Sequence, residues 1–466
     1  MLTELASGVR ERRVSAAELV TRSLERIQKL DPSLNAVVAI RGEEALADAT
    51  ELDARVARGE EAGALAGLPL LVKDNQDVTG MRTTYGSRTH ADAPPAGGDS
   101  LVVERLRAAG AIVVGKTNIP EFTFEGYSAN PLFGVTGNPW ASAWSPGGSS
   151  GGSGAALAAG MAAIATATDG GGSVRIPAGF CGLAGLKPTG GVIGRWPPPS
   201  WMDLSTPGPL ASTVDDVRLL LEAMAGPVSG DPSALPRWEP PADGSTFPAR
   251  VLAAPRTVPW GPLPSSIEAL FRQALTSFER DLGIAVEPIE SDSIFRAGNL
   301  DDDWLTMCAA EQAHKLGREW LETNAGLLDT VFREAMELGL RVSIEDYLAV
   351  RRRRFEYVRE MDELLGDDGM LVTPTMTEEG WSAEGVKPGA EHPGTDGQAY
   401  NTQAANMTGH PALSVPAGRS PNGVPFGIQL TGPRFRDDLV LAIGEAWERA
   451  NPWPLVADGY EPFDLP

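Results

Sequence analysis

Apolar positions recur along this chain in two rhythms. Leu19, Ser23, Ile27 and Leu30 fall at three- and four-residue spacing, one face of a helix. Ser15 followed by Glu18 supplies a capping box at its start. An Ala/Glu-rich helix is predicted over about 43–58, and SLVVERLRAAG (100–110) reads as a third helix closed by its glycine. Between them GLPLLVKDN (67–75) is a short unbroken apolar run, a buried strand with Lys73 near its end. AIVVGKTN (111–118) repeats that pattern. Strands alternating with helices predict an α/β core in which helices cover a sheet.

Farther on, 226–244 is rich in Pro and Gly and reads as a surface connection. VLAAP (251–255) has strand character, about 265–365 is mostly helical, and LVTPT (371–375), ALSVPAG (412–418) and FGIQL (426–430) return to strand. A last helix is predicted over about 437–450. Ser343 with Asp346 starts a helix that presents Ile344, Tyr347, Leu348, Phe355, Val358, Met361 and Leu365 at roughly helical spacing. The basic run Arg351 to Arg354 is then expected on its solvated face. No internal repeat occurs, so two α/β regions flanking a helical insertion predict one compact domain.

Charge narrows the partners. Lys plus Arg number 39 against 62 Asp plus Glu, a net charge of −23, which disfavours phosphate-rich or anionic-membrane partners. The segment 126–168 carries no charge, but its compact apolar part, 155–167, is shorter than the about 20 residues of a membrane span. It reads as a buried small-residue helix and strand. The two cysteines, Cys181 and Cys308, form no disulfide framework and no CxxC metal pattern, so buried thiols are expected. The N-terminal residues hold no apolar stretch of signal-peptide length, which predicts a cytoplasmic protein.

Chemistry concentrates in SPGGSSGGSGAALAAGMAAIATATDGGGSVRIPAG (145–179). DGGGS (169–173) follows a small-residue strand; consecutive glycines let backbone approach a ligand, and their N–H groups can face a developing oxyanion. Asp169 and Arg175 bracket this loop with opposite charges and are expected to shape it. A serine nucleophile needs a base. Neither serine loop holds a histidine; His90, His314, His392 and His410 all lie elsewhere. GGSSG (147–151) formally matches the GxSxG elbow of α/β-hydrolases, but that elbow needs a strand immediately before it. A GxSxG esterase with a distant histidine base therefore stays as an alternative. Lys73 is the stronger base candidate, because burial favours a neutral amine. The competing reading of Lys73 is an ion pair with Asp74.

GLPLLVKDN, GKTNIPEF, NPW, SPGGSSGGSGAALAAG, TDGGGSVRIPAGFCGLAGLKPT and STPGPLASTVDD together resemble the amidase signature family. LVTPT, NMTGHPALSVPAG and GVPFGIQLTG are similar to that family's closing segments. The resemblance runs from about Ser15 to Glu448 and is weakest between 226 and 369. It implies a single large α/β/α sandwich over 1–466 with a central mixed, mostly parallel β-sheet, a signature core at about 67–215 and a variable helical segment at about 226–369. It also implies a Ser–cis-Ser–Lys triad: Lys73 as base, Ser149 as relay after an expected cis peptide bond, and Ser173, 24 residues on, as nucleophile. The amides of Gly170, Gly171, Gly172 and Ser173 would form the oxyanion hole. No metal or organic cofactor is implied.

Members of this family hydrolyse aliphatic, aromatic, peptide and fatty amides, and some accept esters or carbamates. The expected partner is a small amide or carbamate, with no nucleic acid and no membrane, and the expected assembly is a monomer or homodimer. The glutaminyl-tRNA amidotransferase A-type chain is an alternative, yet GGVIGRWPPPSW (190–201) departs from that branch after GLKPT. A non-catalytic binding protein on the same scaffold is another. RWPPPSW, stiffened by three prolines, and residues around 301–314 are expected to line an apolar entrance suited to aryl amides or carbamates. Tyr127 and Trp201 are the substrate-binding candidates. The aromatic series Tyr127, Phe133, Trp140 and Trp144 also reads as wall and core, so Tyr127 carries both readings.

Overall fold

The computed structural model describes residues 1–236, 247–387 and 401–465. His392 and part of the predicted 226–244 connection lie outside the described residues. The capping box forms as written: Ser15 Oγ accepts from the Glu18 amide, and the Glu18 carboxylate returns to the Ser15 amide at 2.7 Å. The helix Ala16–Leu30 buries Leu19, Ser23 and Ile27. Gly42–Ala57, Leu101–Ala108 and Asp437–Ala450 are helices as predicted.

Thirteen strands occur among the described residues. β1 is Val37–Ile40, β2 Pro69–Lys73, β3 Ile112–Thr117, β4 Ala129–Asn130, β5 Gly134–Val135 and β6 Ile164–Asp169. β7 is Ala184–Lys187, β8 Thr206–Ala211, β9 Arg250–Ala253 and β10 Val286–Pro288. β11 is Gly369–Pro374, β12 Ala412–Arg419 and β13 Pro425–Thr431. Eleven form one sheet in the order β1-β3-β2-β6-β8-β7-β12-β13-β11-β9-β10, and β4 pairs with β5 apart from it.

The sheet is mixed, but the expectation of mostly parallel pairing is corrected. Four neighbour pairs are parallel: β2 with β3 and with β6, and β9 with β10 and with β11. The other six, including the whole middle of the sheet, are antiparallel. β12 and β13 are joined by a short turn, and a hairpin is antiparallel by its connectivity. β10 adds an edge strand within a stretch expected to be mostly helical.

The main core packs helices onto this sheet through residues such as Leu70, Val113, Leu186 and Leu413. The charge-free segment resolves into the helix Gly151–Ala158, buried along its whole length, and β6. No described helix is long and apolar enough to cross a membrane.

The helix Ile344–Leu365 starts at Ser343 as predicted, and Met361 and Leu365 of its expected apolar face are buried, but the first half of that face is not. Ile344, Leu348 and Phe355 are 62%, 44% and 77% exposed. Arg353 instead forms a forked pair with the nearly buried Asp303, 2.7 Å from Nε to Oδ2. Arg354 donates to Met407 O at 2.8 Å and pairs with Asp203 at 3.2 Å, and Arg351 also pairs with Asp203. The basic run is therefore partly an ion-paired seam, drawn inward by carboxylates from distant segments.

Candidate active site

β2 carries Lys73 to its C-terminal end, inside the molecule. Successive side chains at a strand end point to opposite sides, and here they part company. Asp74 pairs with Lys116 at 2.8 Å, not with Lys73. Lys73 Nζ lies 2.8 Å from Ser149 Oγ and 2.8 Å from Thr168 Oγ1. Burial pushes the Lys73 amine well below the ordinary lysine range, opposed in part by the Asp169 charge.

Ser149 lies just before the helix Gly151–Ala158, and the Gly148–Ser149 peptide bond is cis. Glycine at 148 is a packing requirement: a Cβ there would overlap the backbone of Tyr127. This also locates Tyr127. Its buried ring packs with Ile176, Phe180, Met376 and Trp381, behind the serine loop. Tyr127 does not line the cavity described below, which corrects its assignment to substrate binding. GGSSG follows loop rather than strand, so the elbow geometry is absent.

β6 delivers Thr168 and Asp169, and the glycine loop follows. The loop is clamped by the Asp169–Arg175 pair, both fully buried at 2.7 Å. Burial alone would raise the Asp169 pKa; the Arg175 charge and hydrogen bonds from Arg175 and Asn406 overcome it and hold it at about 2. Arg175 also donates to Thr402 O and to Gln429 Oε1, each at 2.7 Å. Asp169 thereby fixes the loop's shape, and it takes one amide in doing so. Gly172 N–H donates to Asp169 Oδ1 at 2.8 Å. That removes Gly172 from the expected oxyanion hole and leaves the amides of Gly170, Gly171 and Ser173 as its candidates.

The glycines admit neighbours that a side chain would displace. A Cβ on Gly170 would enter the Trp201 ring, and one on Gly171 the Trp304 ring. Gly172 has φ +135°, and its Cβ would overlap the Thr402 hydroxyl. Trp304 Nε1 donates to Gly170 O at 2.9 Å, and Thr402 Oγ1 to Gly171 O at 2.6 Å.

Ser149, Ser173, Thr168 and Gly170 open onto one cavity of about 320 Å³. Ser173 is 8% exposed. Trp201 lines the cavity, as does the whole proline-rich segment 194–200; so do Tyr85, His90 and Phe122. Of the other histidines in the described residues, His314 and His410 do not line it. His90 is held by Thr89 Oγ1 at 2.8 Å and packs edge-on against Tyr85 and Phe122, and burial lowers its pKa. Of the 301–314 stretch, Gln312 reaches the cavity and Trp304 stacks behind the glycine loop. Cys181 and Cys308 are buried free thiols. No group of three His, Cys, Asp or Glu able to hold a metal occurs among the described residues.

Sequence reasoning missed Thr168, Trp304, Thr402 and Asn406. Thr168 had a signal: on β6 it lies one residue before Asp169, across from the strand that carries Lys73. Thr402 and Asn406 had none, because they meet the loop from more than two hundred residues away.

Comparison with known proteins gives a consistent result. The family model described as Amidase matches residues 18–441. The chain is 34% identical over 470 residues to an acylamidase of Rhodococcus erythropolis, covering 97% of this chain and 95% of that protein. It is 33% identical to the A-type chain of the glutamyl-tRNA(Gln) amidotransferase of a Picosynechococcus species, covering 94% and 95%. A bacterial aryl acylamidase of the amidase signature family superposes with TM-score 0.85 at 27% identity, covering 96% and 95%. A 6-aminohexanoate cyclic dimer hydrolase bound to its substrate superposes with TM-score 0.84 at 28% identity, covering 97% of each chain.

Proposed function

The chain belongs to the amidase signature family, and from that premise we propose that it hydrolyses a carboxamide C–N bond through an acyl-enzyme on Ser173. The observation that carries this reading is the buried 2.8 Å contact between Lys73 Nζ and Ser149 Oγ, beside a cavity that Ser173 shares. A lysine kept neutral by burial accepts a proton from Ser149 as Ser149 takes one from Ser173. Ser173 Oγ then attacks the substrate carbonyl. The amides of Gly170, Gly171 and Ser173 receive the oxyanion. Collapse of the tetrahedral intermediate breaks the C–N bond, and the returning proton goes to the leaving nitrogen. Water, deprotonated by the same relay, cleaves the acyl ester and restores Ser173.

The substrate is an apolar, preferably aryl, amide, with carbamates and esters as further acyl substrates. Phe122, Trp201 and the three prolines at 197–199 support this, because a wall of rings and prolines desolvates an apolar group at little entropic cost. The acylamidase and aryl acylamidase relatives point the same way. The similarity to the A-type chains of amidotransferases favours a second reading, in which ammonia passes to a partner; the net charge of −23 gives it no support.

The test is chromophore release from matched nitroaryl amide, ester and carbamate substrates by the chain alone, with Lys73→Ala and Ser173→Ala beside it. Turnover abolished by Ser173→Ala, with the amide hit hardest by Lys73→Ala, supports the hydrolase. No turnover without a partner protein shifts the reading to the amidotransferase. No turnover under any condition leaves a binding protein.

A further inference from the structure

β2 ends at Lys73 and the chain turns at once, with Gln76 N–H returning to Lys73 O at 3.0 Å. That turn brings Asn75 and Gln76 into the wall of the cavity that holds Ser149 and Ser173. Asn75 Nδ2 donates to Thr168 Oγ1 at 3.3 Å, and the same hydroxyl lies 2.8 Å from Lys73 Nζ. Asn75 therefore stands one hydroxyl away from the lysine. Its Oδ1 and the Oε1 of Gln76 are both buried, and neither has a hydrogen-bond partner. Gln76 as a whole is 6% exposed.

Two neighbouring acceptors left empty need a reason, because buried polar groups are nearly always paired and an unpaired one is costly. Other polar groups of this wall are engaged. Asp77 Oδ1 accepts from Thr83 Oγ1 at 2.6 Å, Ser100 Oγ accepts from the Asp77 amide at 2.7 Å, and His90 Nδ1 lies 2.8 Å from Thr89 Oγ1. In the hydrolase reading the carbonyl oxygen of a substrate amide goes to the amides of Gly170, Gly171 and Ser173. What remains of its polar atoms is the nitrogen and its N–H, a donor. A carboxamide oxygen is an acceptor, so the empty groups match what the substrate has left to offer.

We propose that Gln76, with Asn75 beside it, is a specificity-determining residue whose side-chain oxygen accepts the N–H of the scissile amide. This rests on the hydrolase reading and deepens it: the site reads the leaving nitrogen as well as the carbonyl, and takes amides that keep an N–H over tertiary amides. A site built to hydrogen-bond a substrate N–H discriminates strongly against an analogue without one, since its own buried group then stays unpaired. Gln76 is the residue to substitute. The Asn75 side chain is tied to Thr168, whereas Gln76 Oε1 holds nothing else in the fold.

The test compares 4-nitroacetanilide with N-methyl-4-nitroacetanilide, which need the same leaving-group proton and differ in the N–H. The wild-type chain is expected to favour the secondary anilide in kcat/KM, and Gln76→Met to lower that secondary-to-tertiary ratio at least tenfold. Damage to Lys73 slows both anilides alike, so the ratio separates a lost N–H contact from a disturbed relay. Gln76→Met should also leave the melting temperature undiminished, because it removes an unpaired acceptor rather than a bond. A ratio that Gln76→Met does not move overturns the assignment, while Ser173-dependent turnover of the secondary anilide sustains the hydrolase. If neither anilide is turned over, the hydrolase reading fails instead. In that case, or where the tertiary anilide is too slow to read, calorimetric binding of the same pair to Ser173→Ala decides. Binding of the secondary anilide at least tenfold tighter, lost when Gln76→Met is added, supports the assignment; equal binding, or none, rejects it.

Discussion

Asp74 and Lys116 pair at 2.8 Å with both side chains out of solvent, and this contact frees the adjacent Lys73 for Ser149. Lys116 Nζ also donates to Arg82 O and Thr83 Oγ1, each at 2.9 Å, so it ties the loop after β2 to β3. Lys116→Met strands a buried carboxylate. It should cost about 3–5 kcal/mol of stability in urea unfolding, as broken buried pairs do. An undiminished unfolding midpoint would mean that Asp74 finds water or another cation.

The lowered Lys73 pKa has two consequences with opposite demands. The proposed relay uses the neutral amine, so kcat/KM should fall as pH falls through the depressed value, an acid limb that starts below the ordinary lysine range. Lys73→Ala should remove that limb and lower kcat/KM at least ~100-fold. For stability, the unfolded chain holds its lysine proton up to about pH 10.4 while the folded chain releases it earlier. Between those two values the unfolded state binds more protons, so stability rises with pH. Lys73→Met should therefore raise the melting temperature most below the folded-state pKa, and by less as pH climbs toward 10. A gain independent of pH would show that Lys73 stays charged in the fold.

Elements whose cause is local were legible in the chain. The Ser15–Glu18 box, β2 and the final helix Asp437–Ala450 each follow from neighbours a few residues apart. The glycine loop was legible for a related reason, since DGGGS announces backbone approached by other groups. What approaches it was not legible: Trp304 and Thr402 lie far along the chain, and no periodicity encodes them. The helix Ile344–Leu365 makes the same point. Its apolar spacing predicts one buried face, but Asp303 and Asp203 pull arginines inward and leave Phe355 outside. Gly172 failed for a geometric reason. Four consecutive amides look equivalent in sequence, and only the placement of the Asp169 carboxylate shows that one is already used.

Asp169 makes the loop's shape depend on pH. Its folded-state pKa of about 2 lies below the ordinary aspartate value near 3.9. A depressed carboxyl contributes stability that is fully present above pH 4 and lost as pH falls through 2. The contribution is ~3 kcal/mol by linkage. Asp169→Asn keeps the acceptor for Gly172 N–H but leaves Arg175 buried without its counter-charge. It should lose about 3–5 kcal/mol and its acid sensitivity together, read by thermal melts from pH 2 to pH 7. A melt whose acid limb survives the substitution would assign that limb to other carboxylates.

Trp201 is the aromatic residue that joins the cavity to the glycine loop. Its ring occupies the space a Gly170 side chain would need and meets Phe124 and Trp304 edge-on, each with centroids 5.6 Å apart. Trp201→Ala removes one wall of the site while leaving Lys73, Ser149 and Ser173 untouched. An aryl group that stacks against this ring loses about 1 kcal/mol of edge-on contact on top of its burial. Turnover of an aryl amide should then fall roughly tenfold relative to a small aliphatic amide. The ratio is the measurement, because any loosening of the glycine loop lowers both rates alike. An unchanged ratio with both rates reduced would assign Trp201 to support of Gly170, and the aryl preference would have to come from Phe122 or the 196–199 segment.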